Sequence, residues 1–186
     1  FKGYDSHPAA EVLAVCDLSQ ERAETFAQER GIGSIYVSFE KMLAEADVQI
    51  VDLATPTFLH ADMTRMAAEA GKHVHCEKPF CRSVGEGLSA CRAVANNGVK
   101  LVVGETYVFL ASHMKARELI EAGEIGRPLQ VRQRHASWVR RRGRRAKRQN
   151  ASEGWRMDGV QSGGGDYTWI FDHAVHFFAA AEFFML

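Results

Sequence analysis

No apolar run in this chain approaches the ~18 residues that a bilayer-spanning helix needs, which excludes a transmembrane helix within it. A signal-peptide pattern is missing too, as is any internal repeat. Cysteine is sparse: Cys16, Cys76, Cys81 and Cys91 all fall inside apolar or periodic segments. That distribution excludes a disulfide-stapled scaffold and fits buried, reduced thiols in the cytoplasm. An excess of one charge is also lacking, with 23 basic residues against 23 acidic. The balance is uneven, because residues 140–148 hold seven of the basic side chains, leaving 16 against 23, a net −7, elsewhere. With hydrophobic residues at 46% and charged residues at 25%, what remains is the composition of a soluble globular protein. The chain starts at Phe1 and stops at Leu186 inside an apolar helical pattern, so it reads as a fragment lacking both ends, and a targeting segment before Phe1 stays open.

Through its first half the chain alternates short apolar runs with helical periodicity. Val12–Cys16 predicts a strand ending at Asp17. Ser19 then caps a helix to Arg30, with Ala23, Phe26 and Ala27 on one face and Gly31 as its stop. A short helix over 38–46 leads to a strand over 48–54, and Pro56 opens a helix closed by Gly71. Strands follow at 73–77 and 99–105. Between them lies a helix started by the Ser83/Glu86 capping box, with Val84, Leu88, Cys91 and Ala95 on one face. This β-α-β-α order predicts a parallel sheet covered by helices on both sides. Beyond it, a helix over 111–122, a turn at Gly126-Arg127-Pro128 and an alternating strand over 129–138 predict a second domain. An Arg-rich loop, Gly163-Gly164-Gly165 and an aromatic-rich helix from about Trp169 complete it.

In a doubly wound sheet ligands bind beyond the carboxyl ends of the strands. Asp17, Thr55-Pro56 and Glu77-Lys78-Pro79 all stand at such ends. An acid at Asp17 suits the ribose hydroxyls of a dinucleotide and repels a 2′-phosphate, although an ordinary helix-capping role accounts for it equally well. Lys78, fixed before a proline that can be cis, presents an ammonium at the sheet edge. The Gly-rich phosphate loop that should precede Asp17 by ~20 residues lies outside the chain. Asp172 and His176, four apart, share a helix face where a carboxylate can orient an imidazole for acid/base work. His173 and His176 lack a third ligand at metal spacing, so no metal is expected. The tract Arg140–Arg148 is read as a solvated loop rather than a nucleic-acid site, having little aromatic interleaving on an acidic body.

Taken together, Val12–Asp17, Ala54-Thr55-Pro56 with His60, Ala70–Val74, Glu77-Lys78-Pro79, Glu121–Pro128 and Gly163–His176 resemble the Gfo/Idh/MocA oxidoreductases. The resemblance covers nearly the whole chain and implies a Rossmann-type doubly wound α/β domain without its first strand, over residues 1–107. After it, over 108–186, would come the start of an α+β substrate and oligomerisation domain with a mostly antiparallel open sheet. It implies NAD, in preference to NADP, as cofactor, and a sugar, sugar derivative or cyclic polyol as the substrate of a hydride-transferring dehydrogenase. By position, Lys78, Asp172 and His176 would be catalytic, and Asp17, Thr55, Pro56, His60, Glu77 and Lys78 would line the cofactor site. Trp155, Arg156 and Asp172 would hold substrate. The full-length protein is expected to form homo-oligomers without membrane or nucleic-acid partners. Two alternatives share this sequence reading: NAD-dependent glycoside cleavage on the same fold, and a non-catalytic sugar or dinucleotide sensor.

Overall fold

The structure, a computed structural model, describes residues 2–134, 154–156 and 158–185. Five short parallel strands alternate with helices in its first part: α1 (Lys2–Ser6), β1 (Ala14–Cys16), α2 (Gln20–Arg30), β2 (Ser34–Tyr36), α3 (Phe39–Glu45), β3 (Ile50–Leu53), α4 (Thr57–Glu69), β4 (His73–Glu77), α5 (Val84–Asn96) and β5 (Leu101–Gly104). A 3-10 turn at Tyr107–Phe109 leads into α6 (Ala111–Glu121). Further on come a 3-10 turn over 154–156, α7 (Gly159–Ser162), another 3-10 turn (Gly165–Tyr167) and the long α8 (Thr168–Met185).

Local chemistry sets these boundaries where the sequence predicts them. The Ser19, Ser38 and Ser83 side chains each accept a backbone N–H from the first turn of α2, α3 and α5. Gly31, at φ +68°, ends α2 in the left-handed conformation. Pro56 stands at the N-terminus of α4, where its missing N–H costs no helical hydrogen bond.

The strands form two sets, β1–β2 and β3–β4–β5, parallel throughout as in a Rossmann-type α/β fold. One core joins the sets. Val51, Leu53, Val74 and Cys76 point to the same side of β3 and β4 and bury against Met42, Leu43 and Ala67 from α3 and α4. Ala14, Cys16 and Tyr36 of the other set pack on this cluster. Because side chains alternate along a strand, Asp52, His73 and His75 fall on the opposite face. That face keeps Ile50 and Val102 exposed and is reached by α1, whose Tyr4 hydroxyl donates to Asp52 at 2.8 Å. The cover expected on both sides is therefore heavier on one.

Two expectations change. The buried face of α5 is Ala90 and Val94, not the row Val84, Leu88, Cys91 and Ala95; Leu88 is 52% exposed. Helix α5 packs against α4, and the position of that neighbour, not the size of its own apolar row, decides that Ala90 and Val94 are the side that buries. At its start a Cβ on Gly87 would meet the sulfur of Cys81, in the turn after β4, at 2.9 Å. Residues 129–134 form no strand, and 135–138 lie outside the described residues. A strand is held by a ladder with a neighbour, whereas Gln133 donates its side-chain amide to the Phe177 carbonyl of α8. The Arg-rich tract 140–148 also lies outside the described residues.

Candidate active site

Three chain segments converge at the carboxyl edge of β3 and β4. The turn after β3 presents Thr55 and Pro56, and the turn after β4 presents Glu77, Lys78 and Pro79 through a cis Lys78-Pro79 peptide bond. His60, in the first turn of α4, joins these two turns. Its Nδ1 lies 2.8 Å from the Pro79 carbonyl oxygen and its Nε2 2.7 Å from that of Thr55. It is 1% exposed, and packing under the turns makes it a tie between them.

The third segment is α8, held by an unusually close approach of backbones. Gly163 takes φ +83°, and a Cβ there would come within 2.7 Å of the Arg82 Cα, while one on Gly164 would meet the Thr168 Cα at 2.6 Å. Only glycine allows both the left-handed turn and these contacts. Arg82 is itself fixed by Glu86, which accepts from its backbone N–H at 2.9 Å and from its guanidinium. That charged hydrogen bond holds the Glu86 carboxyl below the usual carboxylate range.

So placed, α8 sets Asp172 against Lys78. The Lys78 ammonium donates to Asp172 Oδ1 at 3.1 Å and to its carbonyl at 3.0 Å, with both side chains about five-sixths buried. His173 Nδ1 lies 3.3 Å from the other carboxylate oxygen. Glu77 Oε2 accepts the Lys78 backbone N–H at 3.0 Å. Lys78 is thus oriented from both sides by carboxylates, and its cation stays in a partly buried site where charge interactions are strong.

One turn along α8, His176 faces a different acid. Its Nδ1 lies 2.6 and 2.8 Å from the two oxygens of Glu105, just beyond β5. The Tyr107 ring stacks on the imidazole with centroids 4.3 Å apart and planes 11° from parallel. The pairing of Asp172 with His176 suggested by their spacing is therefore not formed: Lys78 and His173 take the carboxylate of Asp172, and Glu105 takes His176. Glu105 escaped the sequence reading although a signal existed. It is an acid at the carboxyl end of a strand, the same rule that singled out Asp17 and Glu77.

Asp17, at the end of β1, accepts the Ser19 N–H at 2.8 Å and two nitrogens of Arg22, the nearer at 2.6 Å. The Arg22 hydrogen bonds hold its carboxyl below the usual range. Thr55 turns its hydroxyl toward the Met63 sulfur and its carbonyl toward His60. Trp155 and Arg156 pack on each other, with the guanidinium carbon 5.0 Å from the ring centroid. Among the described residues no group of three or more His, Cys, Asp or Glu is arranged to hold a metal ion, and no helix is long and apolar enough to cross a membrane.

A parallel sheet with acids and a buried lysine at its carboxyl edge, closed by a helix carrying a paired histidine, is the layout of a Rossmann-fold oxidoreductase. Residues 2–105 match the model of the oxidoreductase family with an NAD-binding Rossmann fold, and residues 113–186 match the GFO/IDH/MocA C-terminal domain. The chain belongs to the GFO/IDH/MocA oxidoreductase family. It is 33% identical over 166 residues to 1,5-anhydro-D-fructose reductase of Ensifer adhaerens, covering 89% of this chain and 46% of that protein. It is 36% identical over 124 residues to scyllo-inositol 2-dehydrogenase (NAD(+)) of Bacillus subtilis, covering 67% and 36%. The chain thus spans about half the length, or less, of these curated relatives. The fold superposes on an oxidoreductase domain protein from Kribbella flavida with a TM-score of 0.75 at 28% identity, covering 95% of this chain and 44% of that one. It also superposes on aldose-aldose oxidoreductase from Caulobacter crescentus with a TM-score of 0.75 at 24% identity, covering 98% and 52%.

Proposed function

We propose that this chain carries the catalytic centre of a nicotinamide-dependent dehydrogenase or reductase acting on a hydroxyl-bearing carbon of a sugar, sugar derivative or cyclic polyol. The observation that carries the reading is the bond between Lys78 and Asp172. It brings residues 94 apart in sequence to one point at the sheet edge, with His176 one turn further along the same helix. The names of the relatives, an anhydrofructose reductase and an inositol dehydrogenase, support the substrate class. The division between a cofactor-binding and a substrate domain is placed at residues 107 and 108.

The residues present fit a dinucleotide. Asp17, Thr55-Pro56 and Glu77-Lys78 stand at the carboxyl ends of β1, β3 and β4, the edge where parallel sheets bind such cofactors. Asp17 accepts from the ribose hydroxyls and, by its charge, favours NAD over NADP. Arg22, bonded to it, tempers that discrimination. When bound, the nicotinamide accepts or returns a hydride. In oxidation, His176 removes the hydroxyl proton of the substrate, and the Lys78 ammonium stabilises the alkoxide charge as it develops. Asp172 keeps the ammonium aimed and takes a second substrate hydroxyl. Trp155 and Arg156 border the substrate, and the whole protein assembles as a homo-oligomer.

The test is the absorbance of reduced nicotinamide, followed with NAD(H) and NADP(H) against a panel of sugars, cyclic polyols and 1,5-anhydro-D-fructose. Turnover that falls ~100–10,000-fold in His176→Ala, with NAD affinity retained, is the expected result. Bound NAD with silence across the panel, or full turnover in the variant, would contradict it.

A further inference from the structure

Glu105 lies outside the residues that the Lys78, Asp172 and His176 reading assigns, yet it makes the closest polar contact that His176 has. Both side chains are nearly buried, at 12% and 10% exposure. Both carboxylate oxygens approach Nδ1, at 2.6 and 2.8 Å, and Oε1 also accepts the Tyr107 backbone N–H at 2.8 Å. A protonated carboxyl has a single O–H, whereas an ionised one accepts at both oxygens. The pattern is that of a carboxylate receiving Nδ1–H. The Tyr107 backbone holds the acid in place, and the Tyr107 ring covers one face of the imidazole. Tyr107 is backed in turn by the edges of His113 and Phe177. Among the described residues Nε2 has no hydrogen-bond partner.

We propose that Glu105 is the positioning residue of the reaction: it fixes the His176 tautomer with hydrogen on Nδ1 and leaves Nε2 bare as the atom that exchanges a proton with substrate. This rests on the reading of His176 as the acid/base and extends it to a residue that neither the spacing nor the resemblance points to. When Nε2 takes the hydroxyl proton, the ring becomes an imidazolium, and the Glu105 carboxylate beside it stabilises that charge. The other charged groups near the ring are Asp172 and Lys78, bonded to each other one turn back on α8, and His173 on the Asp172 carboxylate. His113 packs against the Tyr107 ring, with centroids 6.2 Å apart. Glu105 is thus the charged partner in direct contact.

Histidine-labelled protein read by nitrogen NMR tests this without any substrate, with His176→Asn to assign the signal and the near-isosteric Glu105→Gln alongside Glu105→Ala. The expected wild-type signature is a protonated Nδ1 and a bare Nε2. In Glu105→Ala the opposite tautomer gains population, more than in Glu105→Gln, whose side-chain oxygen still accepts Nδ1–H. Turnover is followed with scyllo-inositol and NAD, and with 1,5-anhydro-D-fructose and NADH. Loss of the partner that orients a metal-bound imidazole typically costs ~10–100-fold, and a loss of that order is expected here in kcat with NAD affinity unchanged. A wild-type ring protonated on Nε2, or a tautomer unmoved in Glu105→Ala, would overturn the positioning role. A tautomer that moves while turnover holds would overturn the use of His176 as the base.

Discussion

Replacing His60 by alanine removes the tie between the turns that follow β3 and β4. The imidazole is 1% exposed, and its two nitrogens meet the carbonyl oxygens of Thr55 and Pro79 at 2.7 and 2.8 Å. The ring donates to at least one of the two carbonyls, and a buried acceptor stripped of its partner costs ~1–3 kcal/mol. A water entering the vacated space would leave the lower end. For a chain of this size each kcal/mol moves Tm by roughly 2–4 °C, so the midpoint should fall by at least about 2 °C. Differential scanning calorimetry measures it, with Leu18→Ala as control, since Leu18 is almost fully exposed and a surface change of that kind stays within ~0.5 kcal/mol. The two turns carry Lys78, so turnover should drop along with stability. A His60→Ala protein melting with the wild type would refute the claim that this ring holds the site edge together.

Burial pushes the Cys76 thiol up to about 12, so at neutral pH it should resist alkylation in the native protein while exposed Cys91 is labelled; mass spectrometry of the labelled peptides decides between them. Tyr4 is likewise pushed up to about 12, first by burial and then by its hydrogen bond to Asp52. Because the folded value exceeds the ordinary one of 10.0, its contribution is complete below pH 10.0 and lost as pH rises toward 12; Tyr4→Phe should flatten that part of an alkaline stability profile. Asp17 shows the opposite sign. Its carboxyl is lowered by Arg22, so its contribution is present above the ordinary carboxylate range and lost as pH falls through the lowered value, and Arg22→Ala should weaken the acid dependence seen by circular dichroism. Gly163→Ala should unseat α8 from Arg82 and reduce turnover more than it reduces NAD affinity, measured by titration calorimetry, because α1–α5 and β1–β5 do not depend on that contact.

Much of the first half was legible because its signals are local. Serine caps, Gly31, Pro56 and alternating apolar runs set the element boundaries without help from distant residues. Where packing partners decide, periodicity misled: α5 buries Ala90 and Val94, the side that its neighbour α4 leaves it to cover, which an apolar count cannot register. The convergence of Lys78, Asp172 and His176 at the sheet edge follows from their motifs, but their partners do not. Spacing along α8 paired Asp172 with His176, while the chain instead pairs residues 94 and 71 positions apart, Lys78 with Asp172 and Glu105 with His176. Likewise, His60 was expected at the cofactor site by position, but its two carbonyl partners, which tie the turns after β3 and β4, could not be read from the sequence.

The central claim is hydride transfer at the point where Lys78 and α8 meet, and isotope tracing reads it directly. With a sugar or polyol deuterated at its carbinol carbon, the account predicts that deuterium arrives at C4 of the nicotinamide and that the transfer nearly vanishes in Lys78→Ala. Product formed with the deuterium released to solvent, or transfer undiminished in that variant, would contradict it.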